Sequence, residues 1–269
     1  MRCCGLVIGL GVGCLIGWAE SGPAPGLAGI EAEKGAVHLF LLAGQSNMAG
    51  RGEMTPDRRE PIPGVMALQQ DGSWGPAVDP LHWDKSSAGV GLARSFAQAY
   101  RQDHPNVTVG FIPAAAGGSP IEAWVEGEYF VPTKGYLWDD AVARTKAVLV
   151  RGELKGVLWH QGEADSTPDR VTEYEARLKS LVAELRSVFG RPNLPFLIGQ
   201  LGQFEGAEWS AARQQVDQIH QRIAAEDSWV GFISAQGLTA KADLLHFDAA
   251  GQDELGRRYA AEFAALVKN

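Results

Sequence analysis

From residue 36 onward, short runs of nearly continuous apolar residues alternate with longer stretches of helical periodicity. The apolar runs fall at residues 37–43, 107–113, 156–160, 196–200 and 230–234. Each has the length of a strand and lacks the polar alternation of a half-exposed one, so both of its faces should be covered. The stretches 91–102, 137–150, 169–189, 211–226 and 252–268 read as helices. In the third, Val171, Tyr174, Leu178, Leu181, Val182 and Leu185 form one apolar stripe, and Asp169 stands where an N-cap is expected. Strand–helix alternation of this kind predicts an α/β fold: a parallel sheet with helices on both faces and right-handed crossovers. Two segments break the rhythm. Residues 51–88, rich in Pro, Gly and Trp, and residues 122–134 are expected to be ordered excursions, the first over the edge of the sheet that carries the site.

Composition narrows the class. An apolar share of 45% and a charged share of 21% over 269 residues fit one globular domain, assigned to 36–269, with a core that needs neither disulfide nor structural metal. The formal charge of −8, without a Lys/Arg cluster, excludes a nucleic-acid partner. Residues 1–19 carry Arg2 and then an apolar stretch too short to span a membrane, which is the pattern of a signal peptide. The expectation is a secreted or periplasmic chain beginning near Glu20, with 20–35 as a flexible lead-in and no stable membrane association once the leader is gone. An uncleaved anchor is the alternative. Cys14 raises a lipoprotein anchor, but Gly11-Val12-Gly13 before it lacks the expected leucine. The chain's three cysteines (Cys3, Cys4 and Cys14) all lie in this leader, so no thiol chemistry is expected in the mature domain.

The candidate chemistry sits where apolar runs end. Gly44-Gln45-Ser46-Asn47-Met48 follows the first strand and places a hydroxyl on a tight turn at the carboxyl edge, where open α/β sheets bind ligands. Serine needs a base, and the base needs an orienting group. Asp243-Leu244-Leu245-His246 supplies both, with Asp243 able to accept the imidazole Nδ1 proton across a turn. Glu163 competes for that carboxylate role. Donors for a developing oxyanion are offered by the Ser46 amide, by Gly117 and Gly118 after the second strand, and by the Gln161 side chain after the third. Gln45, Asn47, Ser119 and His160 flank these groups and are candidate substrate contacts.

Each residue also has a plainer account. Ser46 could cap a helix or close a turn, and Gly117-Gly118 could be an ordinary turn. Asp243 and His246 could be surface charges, His160 a buried strand-end histidine, and Trp74, Trp83, Trp124 and Trp138 core residues rather than sugar platforms. Their joint position on one edge of one sheet favours a serine hydrolase. Nothing in the pattern of His, Asp and Glu suggests a metal, and no cofactor is required.

The motifs Gly44-Gln45-Ser46-Asn47-Met48, Gly117-Gly118-Ser119, His160-Gln161-Gly162-Glu163 and Asp243-x-x-His246 resemble those of the sialate O-acetylesterase-like group of SGNH hydrolases. That group includes the acetylxylan esterases of carbohydrate esterase family 6. The resemblance implies a flavodoxin-like three-layer α/β/α fold with a five-stranded parallel sheet, and removal of acetyl groups from carbohydrates such as acetylxylan or sialate esters. It further implies Ser46 as nucleophile, His246 as base, Asp243 as the acid with Glu163 as rival or helper, and Gln161 and Gly117 (or Gly118) in the oxyanion hole. A non-catalytic glycan-binding protein and a short-chain lipid or thioester esterase are the rival functions.

Overall fold

The computed structural model describes residues 36–268. The expected leader and lead-in, with all three cysteines, lie outside the described residues. β1 (Val37–Gly44) is buried along almost its whole length, and its alternate side chains feed two separate apolar layers: Leu39, Leu41 and Ala43 one, Phe40 and Leu42 the other. The one-turn helix α1 (Ser46–Ala49) follows, then a hairpin of β2 (Val65–Leu68) and β3 (Trp74–Pro76), then α2 (Ala93–Asp103) and β4 (Thr108–Pro113). A second hairpin, β5 (Tyr129–Phe130) and β6 (Gly135–Tyr136), leads into α3 (Leu137–Val148). The chain continues through β7 (Glu153–His160), α4 (Val171–Val188), β8 (Phe196–Gly199), α5 (Ala211–Glu226), β9 (Val230–Ile233) and α6 (Ala249–Leu266).

The main sheet has seven strands in the order β3-β2-β4-β1-β7-β8-β9, parallel except for the edge strand β3. The five expected strands run 2-1-3-4-5 within it, the flavodoxin-like order. The expected count of five is corrected by the 51–88 segment, which contributes β2 and β3 instead of lying wholly over the site. Val65–Leu68 is too short to show a period, yet it pairs in parallel with β4, and a turn at Gln69–Ser73 reverses it into β3. Asp169 does not cap α4; the helix starts at Val171 and no side chain caps it.

α2 and α6 cover one face of the sheet through Phe96, Tyr100, Leu255, Tyr259 and Phe263. α3, α4 and α5 cover the other through Trp138, Tyr174, Leu178, Val216 and Ile219. Burial of each such side chain stabilises the fold by roughly 1.5–3 kcal/mol. The connection leaving β1 runs to the α2 face and the one leaving β7 runs to the α4 face. A crevice therefore opens between the carboxyl ends of β1 and β7, which are paired at Gly44 and His160. Among the described residues no helix is long and apolar enough to cross a membrane.

Candidate active site

The nucleophile position is fixed by close backbone approach. Gly44 has φ +126°, and a Cβ there would lie 2.2 Å from the His160 carbonyl oxygen, so only glycine lets β1 end against β7 in this way. The Gln45 amide then donates to that same carbonyl at 2.9 Å, and the chain turns at once into α1. Ser46 is the first residue of that turn, so its amide has no intrahelical acceptor.

His246 comes to Ser46 from 200 residues away, with Nε2 3.0 Å from the serine Oγ. Its Nδ1 is 2.7 Å from Asp243 Oδ2. The other Asp243 oxygen accepts from the backbone amides of Leu245 and His246, both at 3.0 Å. Leu244, with φ +50°, is the left-handed residue that closes this turn. Desolvation works to raise the Asp243 pKa, but the hydrogen bonds from the His246 ring and from the two amides outweigh it and hold the value at about 2. Asp243 is therefore ionised at neutral pH and presents a pure acceptor to the imidazole.

Asn47 builds a bracket around this pair. Its Nδ2 donates to Glu163 Oε1 at 2.6 Å and to the Leu245 carbonyl at 3.2 Å, while its Oδ1 accepts from the Phe247 amide at 3.2 Å. It is fully buried, so the expectation of a substrate contact is corrected: Asn47 grips the backbone on both sides of His246. Glu163 engages Asn47 rather than the His246 imidazole, and its Oε2 is buried without a partner among the described residues.

The oxyanion expectations change more. Gln161 is fully buried; its Nε2 donates to the Ser119 carbonyl at 3.1 Å and to Asp165, and its Oε1 accepts from Tyr174 at 2.9 Å. Both amide hydrogens are committed, so Gln161 braces the site instead of donating into it. Tyr174 continues the chain to His220 Nε2 at 2.9 Å. The Gly117 amide is also committed, donating to Asp84 Oδ2 at 2.7 Å, and Arg51 Nη2 meets that same oxygen at 2.7 Å. Gly118 differs. It occupies the third position of a turn closed by Ser119 N to Ala116 O at 3.1 Å, and its φ of +79° is the type II value, which leaves the Gly118 amide without a partner among the described residues.

Ser119 and His160 are fully buried and serve structure. Ser119 Oγ accepts from Trp124 Nε1 at 3.1 Å, and the His160 ring packs edge-on against Phe247, burial pushing its pKa down. Trp124 and Trp138 belong to the core, and Trp74 packs against it. Gln45 does line the cavity; its Oε1 accepts from the Ala164 amide at 3.2 Å, leaving the side-chain nitrogen uncommitted among the described residues.

A cavity of about 370 Å³ opens above Ser46 and His246, walled by Gly118, Gln45, Glu163 and the cations Arg51 and Lys85. Arg51, Asp84 and Lys85 were not singled out from sequence; they sit in the aperiodic 51–88 segment, where nothing marks them. Among the described residues no group of three or more His, Asp or Glu side chains could hold a metal ion. A hydroxyl, an imidazole acceptor and an ionised carboxylate in line, beside two free backbone donors, make an arrangement able to attack a carbonyl carbon and hold the resulting oxyanion.

Residues 36–265 match the family described as carbohydrate esterase, sialic acid-specific acetylesterase. A probable carbohydrate esterase of Arabidopsis thaliana is 30% identical over 240 residues, covering 81% of this chain and 86% of the plant protein. The crystal structure of an Arabidopsis thaliana protein superposes with a TM-score of 0.74 at 28% identity, covering 85% of this chain and 98% of that one. The fold is shared with NanS (TM-score 0.69, 18% identity, 88% and 99% coverage) and with a carbohydrate acetylesterase of Xanthomonas citri (0.67, 19%, 87% and 57%). With the described domain matched almost from end to end, this chain belongs to the carbohydrate esterase, sialic acid-specific acetylesterase family.

Proposed function

We propose that the protein is a serine esterase that removes O-acetyl groups from carbohydrates through Ser46, His246 and Asp243. The observation that carries this reading is the pair of aligned hydrogen bonds, 3.0 Å from Ser46 Oγ to His246 Nε2 and 2.7 Å from His246 Nδ1 to Asp243. His246 Nε2 takes the hydroxyl proton as Oγ attacks the acetyl carbonyl carbon. The oxyanion is held by the Ser46 and Gly118 backbone amides, with the Gln45 side-chain nitrogen, Nε2, as a third donor on the cavity wall. His246 then passes its proton to the sugar oxygen, the ester C–O bond breaks, and the acetyl group stays on Ser46. Water, deprotonated by the same imidazole, releases acetate and restores the hydroxyl. Asp243 keeps the imidazole in the tautomer this sequence requires. Acetylxylan and O-acetyl sialate esters are the two substrate types for which this domain is suited, and export through the 1–19 leader would place it beside either.

The test is acetate release from acetylated xylan, O-acetylated sialic acid and p-nitrophenyl acetate. Ser46→Ala abolishes release from all three while the protein stays folded, and wild type alone is labelled by an organophosphate at Ser46. Activity that persists in the variant refutes the assignment.

A further inference from the structure

The turn that carries the Gly118 amide has no side chain at its centre to set its shape. Its two central residues are Gly117 and Gly118, and glycine takes either sign of φ at little cost. Type I and type II turns share one closing hydrogen bond and differ by a flip of the central peptide, here the one joining these glycines. In the type II form observed, the Gly118 N–H is the donor for the oxyanion. The flipped form would bring the Gly117 carbonyl to that side, and its oxygen repels a developing negative charge.

Three anchors hold the turn. The Ala116 amide donates to the Gly44 carbonyl at 2.9 Å and the Ser119 amide to the Ala116 carbonyl at 3.1 Å, bonds that either form can keep. The third runs from the Gly117 amide to Asp84 Oδ2 at 2.7 Å, the oxygen that also pairs with Arg51 Nη2. Both side chains are buried, and they press on the turn: a Cβ at Gly117 would lie 2.4 Å from Arg51 Nη2 and 2.9 Å from Asp84 Oδ2. Gly117 is not in the left-handed region, so this approach is what its lack of a side chain permits.

The pair also reaches the nucleophile and the base. Arg51 Nη1 donates to the Gly50 carbonyl at 2.7 Å, and the Gly50 amide closes α1 on the Ser46 carbonyl at 2.9 Å. The Arg51 carbonyl accepts from Lys241 Nζ at 2.8 Å, and the Lys241 amide donates to the His246 carbonyl at 2.8 Å. A buried ion pair stabilises a fold little better than apolar residues of the same volume, so this one is placed for orientation. We infer that Asp84, with Arg51, is a positioning residue for the oxyanion hole, holding the Gly117 end of the turn so that the Gly118 N–H stays aimed at the acyl oxygen. The inference rests on the serine esterase reading of Ser46.

The test compares Asp84→Ala, Asp84→Asn and Gly117→Ala with wild type, with urea denaturation showing which are folded. Alanine at 84 removes the anchor, asparagine keeps an oxygen for the Gly117 amide, and a methyl group at 117 wedges the pair from the turn. Hydrolysis of p-nitrophenyl acetate is followed across pH, together with inhibition by a trifluoromethyl ketone. Ser46 Oγ adds to the carbonyl carbon of that ketone, its proton passes to His246, and the new oxyanion occupies the donor site. Losing a whole oxyanion donor costs about 10²–10³-fold, so a donor misaimed in most molecules lowers kcat about 10–100-fold in both alanine variants. KM stays within about twofold, ketone affinity falls as far as kcat/KM, and the midpoint of the acid limb, set by His246, does not move. Asparagine at 84 recovers kcat to within about fivefold of wild type. If Asp84→Ala does not fold, Gly117→Ala, which leaves both charges in place, decides. A kcat within about threefold of wild type in the folded alanine variants overturns the inference. So does asparagine no better than alanine, or a loss shared between KM and the pH midpoint. Ketone inhibition equal in wild type and variants removes this inference alone, whereas no inhibition of wild type, with activity kept in Ser46→Ala, removes the nucleophile assignment as well.

Discussion

Replacing Asp243 with asparagine isolates what the carboxylate does. Asparagine keeps an oxygen for the Leu245 and His246 amides, so the turn survives, but it presents an NH₂ group to His246 Nδ1. The ring then favours the tautomer with its proton on Nε2, which cannot accept the proton of Ser46. Recovering the reactive tautomer forfeits a hydrogen bond to a charged acceptor, about 1.5–3 kcal/mol. The imidazolium formed during attack also loses a facing negative charge. At about 4 Å that is worth about 1 kcal/mol in water and about 4 at a protein surface, and the 46% exposure of the Asp243 side chain places it toward the lower figure. A total of about 3–4 kcal/mol corresponds to a 10²–10³-fold fall in kcat, less than the roughly 10⁴ of the best-studied serine protease triad, whose aspartate is buried. Glu163→Gln retains an acceptor for Asn47 and should cost less than about tenfold, because no proton passes through it. The assay is initial acetate release for both variants, with urea denaturation confirming that each is folded. If Glu163→Gln proves the more damaging, or Asp243→Asn stays within tenfold of wild type, the argument from the tautomer is wrong.

Three other substitutions probe the scaffold. Gln161→Ala strands the Tyr174 hydroxyl, Asp165 and the Ser119 carbonyl, and should lower unfolding free energy by about 2–4 kcal/mol in urea; a large kcat loss at unchanged stability would return Gln161 to the oxyanion hole. Gly44→Ala drives a Cβ to 2.2 Å from the His160 carbonyl at an unfavourable φ, so a loss of roughly 3–5 kcal/mol or failure to fold is expected, and near-native stability refutes it. Asp79 is buried and its pKa is pushed up to about 7 by desolvation, with the Gly91 amide and Arg94 opposing. A carboxyl raised in this way stabilises the fold below the ordinary Asp range and loses that contribution as pH climbs toward 7. Asp79→Asn should therefore flatten the fall in urea midpoint between pH 4 and pH 7, and an unaltered slope rejects the assignment.

The sequence carried the architecture wherever the physical signal was long. The run at 37–43 and the stripe on α4 need only burial and period, and the helix read over 211–226 matches α5, whose N-terminus Ser210 caps in the structure. β2 escaped because four residues between turns show no alternation. Gln161 was misplaced for a reason that is itself legible. Side chains alternate along β7, Val157 and Trp159 facing α4 while Leu158 faces the opposite layer. Continuing that alternation past His160 sends Gln161 under Tyr174 rather than up to the sheet edge. The engagement of the Gly117 amide could not be read at all, since its acceptor, Asp84, belongs to a segment without periodicity.

The Asn47 bracket has a mechanical consequence. The residue adjoining the attacking oxygen clasps the main chain immediately before and after the imidazole, so their spacing is set by the length of one amide side chain. Almost two hundred intervening residues do not enter that dimension. The clasp works together with the close approach of Gly44 to the His160 carbonyl, so a change in a surface connection detunes the reacting pair only by disturbing one of these contacts.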